Sequence, residues 1–218
     1  MLARARELLS FHREVKSCRP QSLDSLLDFC FSRPIRPFQI RRELAELVNM
    51  VAKLKPKNVL EIGTAQGGTL WLWCRVADPG AKIVSVDLRS GKFGGGYHWA
   101  KIPLYKAFAE KGQHLRLIRG DSHAPATFAQ VKREFLGKID FLFIDGDHSY
   151  AGVKQDFEMY SGLVRKGGLI AFHDIVLHSN QSGCEVSRLW NEIKGNYEHG
   201  EVVGDRSQGW AGIGIIRI

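Results

Sequence analysis

The sequence predicts an α/β protein built on a mostly parallel sheet of seven strands, and three observations carry that prediction. From Asn58 to His173, short apolar runs alternate five times with stretches at helical spacing, the pattern of parallel strands joined by covering helices. The runs KIDFLFID and GGLIAFHD each end in chemistry-bearing side chains, Asp145, Asp147 and His148 after the first, His173 and Asp174 after the second. Between them, Tyr150 to Val164 carries Val153, Phe157, Tyr160 and Val164 at helical spacing. A crossover of that length joins parallel strands, and ligands of such sheets lie outside the carboxyl ends of the strands, so Asp145, His148 and Asp174 share one crevice. The third observation is the tail, where Glu201 to Val203 and Gly212 to Ile218 read as two strands around the polar loop DRSQGW, an antiparallel pair that closes the sheet.

Taken in order, residues 2–16 and 22–31 read as short helices, the second with Ser22 at its N-cap and Leu23, Leu26 and Leu27 on one face. Pro34 and Pro37 interrupt the pattern. A third helix over 39–55 carries Ile40, Leu44, Leu47, Val48, Val51 and Leu54 as an amphipathic stripe and stops at Pro56. Strands follow near 58–62, 82–87, 115–119, 140–145 and 168–173, with helices near 68–77, 98–111, 124–136, 150–163 and 184–194. The expected organisation is therefore a helical extension over residues 1–56 and an α/β domain over residues 57–218.

Composition narrows the function classes. With 218 residues and 44% hydrophobic side chains the chain can bury a full core. No apolar run approaches the roughly 20 residues that span a bilayer, and the first residues are interrupted by charge where a signal peptide would be apolar, so a cytoplasmic protein is expected. Cys18, Cys30, Cys74 and Cys184 are scattered without a C-x-x-C pair, which suits reduced structural thiols. The net charge of +8 is concentrated in residues 1–60, which hold 12 Lys and Arg against 6 acids. That spacing along helices reads as a solvated face or an acidic-surface contact; nucleic-acid binding is disfavoured for want of any recognition motif.

The first strand runs through VLEIGTAQGGTLWLW into a helix. Gly63, Gly67 and Gly68 permit a sharp turn and a close ligand approach, and the new helix offers free N–H groups to an anion, so a nucleotide-type cofactor is implied. Ala65 stands where a dinucleotide fingerprint needs its second glycine, which disfavours NAD. Glu61 would repel a pyrophosphate but attract a cationic amino acid. Asp87 ends the second strand, the usual position of an acceptor for ribose hydroxyls, with helix capping as its structural alternative. Asp121 and Ser122, in GDSHAP after the third strand, can meet an adenine or cap the next helix; His123 and His178 are expected on the surface.

Taken together, E-I-G-x-x-x-G-G-T, V-D, G-D-S, F-I-D-G-D-H-S-Y and G-G-L-I-A-F-H-D resemble the class I S-adenosylmethionine-dependent methyltransferases, and within them the metal-dependent O-methyltransferases, including the cephalosporin-hydroxylase-like group. The resemblance covers about residues 57–218 and implies the Rossmann-like methyltransferase fold. It implies that Glu61, Gly63, Gly67, Gly68 and Thr69 hold the methionine moiety, Asp87 the ribose, and Asp121 with Ser122 the adenine. It implies a divalent metal on Asp145, His173 and Asp174, with His148 as the base. The family has acids, or an acid and an amide, where this chain has His173 and Asp174. One carboxylate fewer weakens the case for Mg²⁺ and favours a cation that tolerates imidazole.

The chemistry fits those residues on physical grounds. Methyl transfer from a sulfonium to a hydroxyl needs in-line positioning and a deprotonated oxygen, and an imidazole near its ordinary pKa of about 6.5 can take the proton. Acceptor specificity is expected from Ser90 to Trp99, SGKFGGGYHW, with Tyr97 and Trp99 packing a ring or anchoring the next helix, and from the loop Arg206 to Trp210. The sequence thus predicts an O-methyltransferase acting on a small hydroxylated acceptor of sugar, phenolic or natural-product type. The alternative is a non-catalytic cofactor-binding scaffold that uses the basic N-terminal helices as a partner surface. A homo-oligomer remains open.

Overall fold

The computed structural model describes residues 2–32, 34–91, 98–135, 138–179 and 181–218, and within 2–9 the backbone alone. Three helices lead, α1 (Leu2–Ser17), α2 (Leu23–Cys30) and α3 (Arg41–Leu54). The alternating part comprises β1 (Asn58–Ile62), α4 (Gly68–Val76), β2 (Lys82–Asp87), α5 (Ile102–Lys106), β3 (His114–Arg119), α6 (Pro125–Glu134), β4 (Ile139–Ile144), α7 (Tyr150–Tyr160) and β5 (Val164–His173). It closes with α8 (Val186–Ile193), β6 (Glu198–Val202) and β7 (Ile213–Arg217).

Among the described residues the strands form one seven-stranded sheet in the order β3-β2-β1-β4-β5-β7-β6. β1 to β5 pair in parallel, whereas β7 runs antiparallel to both β5 and β6. This is the fold class the alternation predicts, with the tail hairpin inserted so that β7 rather than β6 touches β5. The apolar side chains of each parallel strand divide between the two faces by the period-2 rule. Val59, Phe141, Phe143 and Ala171 pack beneath α1 to α5, and Leu60, Ile62, Leu142, Ile144 and Phe172 pack beneath α6 to α8.

The helix expected over 98–111 is shorter than its pattern. A 3₁₀ turn at Trp99–Lys101 leads into five-residue α5, with Pro103 in its first turn. The chain then tightens into i→i−3 bonds from Ala107 to Leu104 and from Phe108 to Tyr105, which brings Tyr105 and Phe108 onto Gly67. Residues 92–97, with Tyr97, lie outside the described residues. Trp99 is 66% exposed and so does not anchor this segment in the core.

The leading helices share the core of the sheet. Phe11 of α1 stacks on Phe29 of α2 at 5.2 Å, and Phe29 packs on Trp71 of α4 at 4.7 Å. A Cβ on Gly68 would lie 2.5 Å from the Ile35 carbonyl oxygen, so only glycine lets this segment cross the start of α4. Glu43, fully buried on α3, accepts from the amides of Gly204 at 2.8 Å and Gly212 at 2.9 Å and from Gln208 Nε2 at 3.1 Å. That carboxylate ties α3 to the closing hairpin. Glu43→Ala leaves those donors unpaired, so urea unfolding is expected to show a loss of about 2–3 kcal/mol; a change below about 0.5 kcal/mol would remove Glu43 from this role. Among the described residues no helix is long and apolar enough to cross a membrane.

Candidate active site

Strand order reverses between β1 and β4, and an open α/β sheet splits at such a point to form its crevice. The register places Ile62 beside Ile144 and Ile144 beside Phe172, so the next residues, Gly63, Asp145 and His173, stand in a row at the carboxyl edge. The amide of Asp145 donates to Ile62 O at 2.8 Å and that of Gly63 to Val86 O at 2.9 Å.

The glycine loop is as tight as its sequence predicts, but its glycines meet the chain itself. Gly63 has φ +88°, and a Cβ there would fall 1.9 Å from the Asp145 carbonyl oxygen. Gly67, at φ +92°, faces the Tyr105 ring, whose hydroxyl donates to Ala65 O at 2.9 Å. Asp87 holds the same loop, its Oδ2 accepting from the amides of Thr64 at 3.0 Å and Ala65 at 2.8 Å and its Oδ1 from Leu88 at 2.7 Å. Burial pushes the Asp87 carboxyl up, and those amides oppose it. The carboxylate therefore braces the loop rather than capping a helix.

Glu61 lies beneath the loop, fully buried, with Oε1 accepting from the Trp73 indole N–H at 2.9 Å and Oε2 without a hydrogen-bond partner among the described residues. Burial raises its carboxyl to about 8 against the lowering effect of Thr69, Trp73 and Thr64. Across the sheet, neither Asp121 nor Ser122 caps α6, whose N-cap is Ala124 without a side-chain bond. Exposed Asp121 accepts from the His123 amide at 2.9 Å, and Ser122 O accepts from the Tyr160 hydroxyl at 2.7 Å. His123 departs from its expected surface position, its side chain 20% exposed and its Nε2 3.3 Å from fully buried Asp156. That carboxylate raises His123 to about 8.

Two carboxylates and three imidazoles converge beyond β4 and β5. Asp174 Oδ2 lies 3.0 Å from His148 Nδ1 and 3.2 Å from His173 Nδ1. Asp145 Oδ1 lies 3.3 Å from His173 Nδ1 and 3.5 Å from His148 Nε2. His178 Nε2 reaches Asp174 Oδ1 at 3.1 Å, and the same oxygen accepts from the Ala211 amide at 3.1 Å. Asp174 takes φ +65°, a left-handed turn that aspartate tolerates, and this turn aims it back into the cluster. His148 does not cap α7, because Ser149 does so, accepting from Gly152 N at 3.1 Å while Asp147 accepts from Ser149 N at 2.9 Å.

Burial alone would lower both imidazoles, but the carboxylates win, raising His148 to about 12 and His173 to about 10. Asp174 is the converse: burial would raise it, and His173, His148 and His178 hold it well below the usual carboxylate range. Ligand atoms of Asp145, His173 and Asp174, one from each, lie within 4.8 Å of one another, the proximity a metal needs. Buried His173 leaves Nε2 without a partner among the described residues, and the O,O,N set suits a divalent cation that accepts imidazole. The residues therefore fit the ion that the sequence implies.

Several participants carry no sequence signal of their own. Gln39, 7% exposed just before α3, donates from Nε2 to Asp145 Oδ2 at 2.5 Å. His178, expected on the surface, has a side chain only 12% exposed; its place four residues after Asp174 is the only hint. Cys184 arrives from a loop whose Glu185 amide donates to His148 O at 2.8 Å.

Five parallel strands with an antiparallel β7 between β5 and β6, and a glycine loop at the switch point, define the class I methyltransferase fold. A profile of the methyltransferase domain family matches residues 60–175, and the chain belongs to that family. An uncharacterized protein of Sinorhizobium fredii is 24% identical over 160 residues, 69% of this chain and 17% of that protein. One of Acanthamoeba polyphaga mimivirus is 58% identical over 139 residues, 64% of this chain and 61% of that protein. The chain thus spans less than two thirds of the length of either relative.

Among solved structures, an O-methyltransferase from Bacillus cereus in complex with SAH aligns with TM-score 0.60 at 18% identity over 96% of both chains. TomG, an O-methyltransferase of tomaymycin synthesis from Streptomyces achromogenes, solved with SAM, gives 0.61 at 15% over 92% of this chain and 91% of its own. MycE, a methyltransferase of the mycinamycin pathway solved with Mg, SAH and mycinamycin VI, gives 0.60 at 20% over 91% and 54%. At these identities the likeness is one of fold.

Proposed function

We propose that this chain is an S-adenosylmethionine-dependent O-methyltransferase that acts, with a divalent cation, on a hydroxyl of a small molecule of sugar, phenolic or natural-product type. The observation that carries the reading is the row of Gly63, Asp145 and His173 at the switch point, with His148 and Asp174 beside it. In this reading residues 57–218 are the methyltransferase domain of a cytoplasmic protein. Residues 1–56 are an extension that completes the site through Gln39, which speaks against a detached partner surface.

The loop from Gly63 to Thr69 receives the methionine moiety, with Glu61 beneath it; Asp87 Oδ1, which accepts the Leu88 amide, receives a ribose hydroxyl, and Asp121 with Ser122 border the adenine. Asp145, His173 and Asp174 would hold the cation, which supplies acidification of the acceptor hydroxyl when bound. The acceptor oxygen attacks the methyl carbon, the carbon–sulfur bond breaks to leave the thioether, and the hydroxyl proton goes to His148 Nε2. His148 takes that proton as the neutral imidazole, the form that a cation on Asp145 and Asp174 would favour by drawing on the carboxylates that keep the ring charged. Asp174, bonded to Nδ1, holds the ring in place.

Calorimetry with S-adenosylmethionine and S-adenosylhomocysteine tests the first half, and failure to bind either would sink it. For the second, a screen of hydroxylated metabolites with a methyl-labelled donor identifies the acceptor. On that acceptor His148→Ala is expected to lower turnover by about 10²–10⁴-fold while cofactor binding persists. Unchanged turnover would remove His148 as the base.

A further inference from the structure

Cys184 Sγ, a ring nitrogen of His148 and a carboxylate oxygen of Asp174 lie within 4.8 Å of one another. This donor set shares Asp174 with the set on Asp145 and His173, yet methyl transfer makes no use of the thiol. The chain fixes the arrangement: the Glu185 amide donates to His148 O at 2.8 Å, and the Cys184 amide donates to Ser182 Oγ at 3.0 Å. His173, 4% exposed, directs Nδ1 to within 3.2 Å of Asp174 Oδ2, while its buried Nε2 has no partner among the described residues. Sulfur, imidazole and carboxylate together are the ligands of zinc, whereas magnesium takes oxygen.

We propose that His148, Asp174 and Cys184 form a site for a thiophilic divalent cation of the zinc class, and that its occupancy switches methyl transfer off. The thiol proton, and any proton on the ligating nitrogen of His148, leave to solvent as the ion binds, so no oxidant is involved. With its lone pair given to the ion, His148 has none for the acceptor's proton. The switch rests on His148 being the base; the site itself does not.

Cobalt(II) is the probe, because a thiolate ligand announces itself by a sulfur-to-cobalt charge-transfer band whether or not the protein is active. Titration of the full chain is expected to give that band, saturating at one cobalt per chain, and Cys184→Ser is expected to lack it while keeping the wild-type circular dichroism and thermal melt. Absence of the band, or its persistence in Cys184→Ser, overturns the site, since Cys18, Cys30 or Cys74 would then be the ligand. Zinc at the same ratio is expected to slow wild-type turnover by about a hundredfold, the scale of a lost general base, and to leave Cys184→Ser unaffected. A cobalt band without zinc inhibition overturns the switch. Failure of S-adenosylmethionine to bind would instead fall on the proposed function and leave the cobalt result standing.

Discussion

Gly63→Ala is expected to lower stability by about 2–5 kcal/mol and to disable the site with it. Two costs act on the same atom. The backbone sits at φ +88°, where an L side chain costs about 1–2 kcal/mol. The new Cβ would lie 1.9 Å from the Asp145 carbonyl oxygen and 2.4 Å from its carbonyl carbon, so β1 and β4 must part at the switch point, an overpacking cost of about 1–3 kcal/mol. Any such parting moves Asp145 away from Gln39, His148 and His173. For a chain of this size the melting temperature should fall by roughly 4–20 °C. A melt within about 2 °C of wild type would show that the loop relaxes without strain.

The contrast between Gly63 and Glu61 shows what the chain order discloses and what it hides. Glycine at the end of an apolar run announces a turn, and the alternation around it announces parallel strands, because these are local consequences of backbone freedom and side-chain period. Strand limits accordingly match closely, with β1 and β2 observed where the pattern puts them. The reason for each glycine is not local: Gly63 answers to Asp145, Gly67 to Tyr105 and Gly68 to Ile35. The same holds for the cluster. Asp145, His148, His173 and Asp174 are legible because strand ends must share an edge. Gln39, His178 and Cys184 reach it along a helix approach and loops whose paths depend on the packed core.

Glu61 gives the second large effect, and its sign follows from burial. The fully buried carboxyl is raised from 4.5 to about 8, so above 4.5 the unfolded chain gives up a proton that the folded chain keeps. Stability from this group is therefore lost as pH rises from about 4.5 to 8 and is level beyond. At 1.36 kcal/mol per pKa unit the loss is on the order of 4–5 kcal/mol. His123 acts in the same direction over a narrower window, its contribution full below its unfolded value of about 6.5 and lost as pH rises through about 8. Glu61→Gln isolates the carboxyl, because the amide oxygen can still accept from Trp73 Nε1 while nothing titrates. The stability of Glu61→Gln relative to wild type, read from urea midpoints in cofactor-free protein, is expected to climb with pH from 4.5 to 8 and then to stay level. A difference independent of pH would mean that Glu61 is ionised in the folded state. Its Oε2, unpartnered among the described residues, would then carry a negative charge beneath the glycine loop before any cofactor arrives.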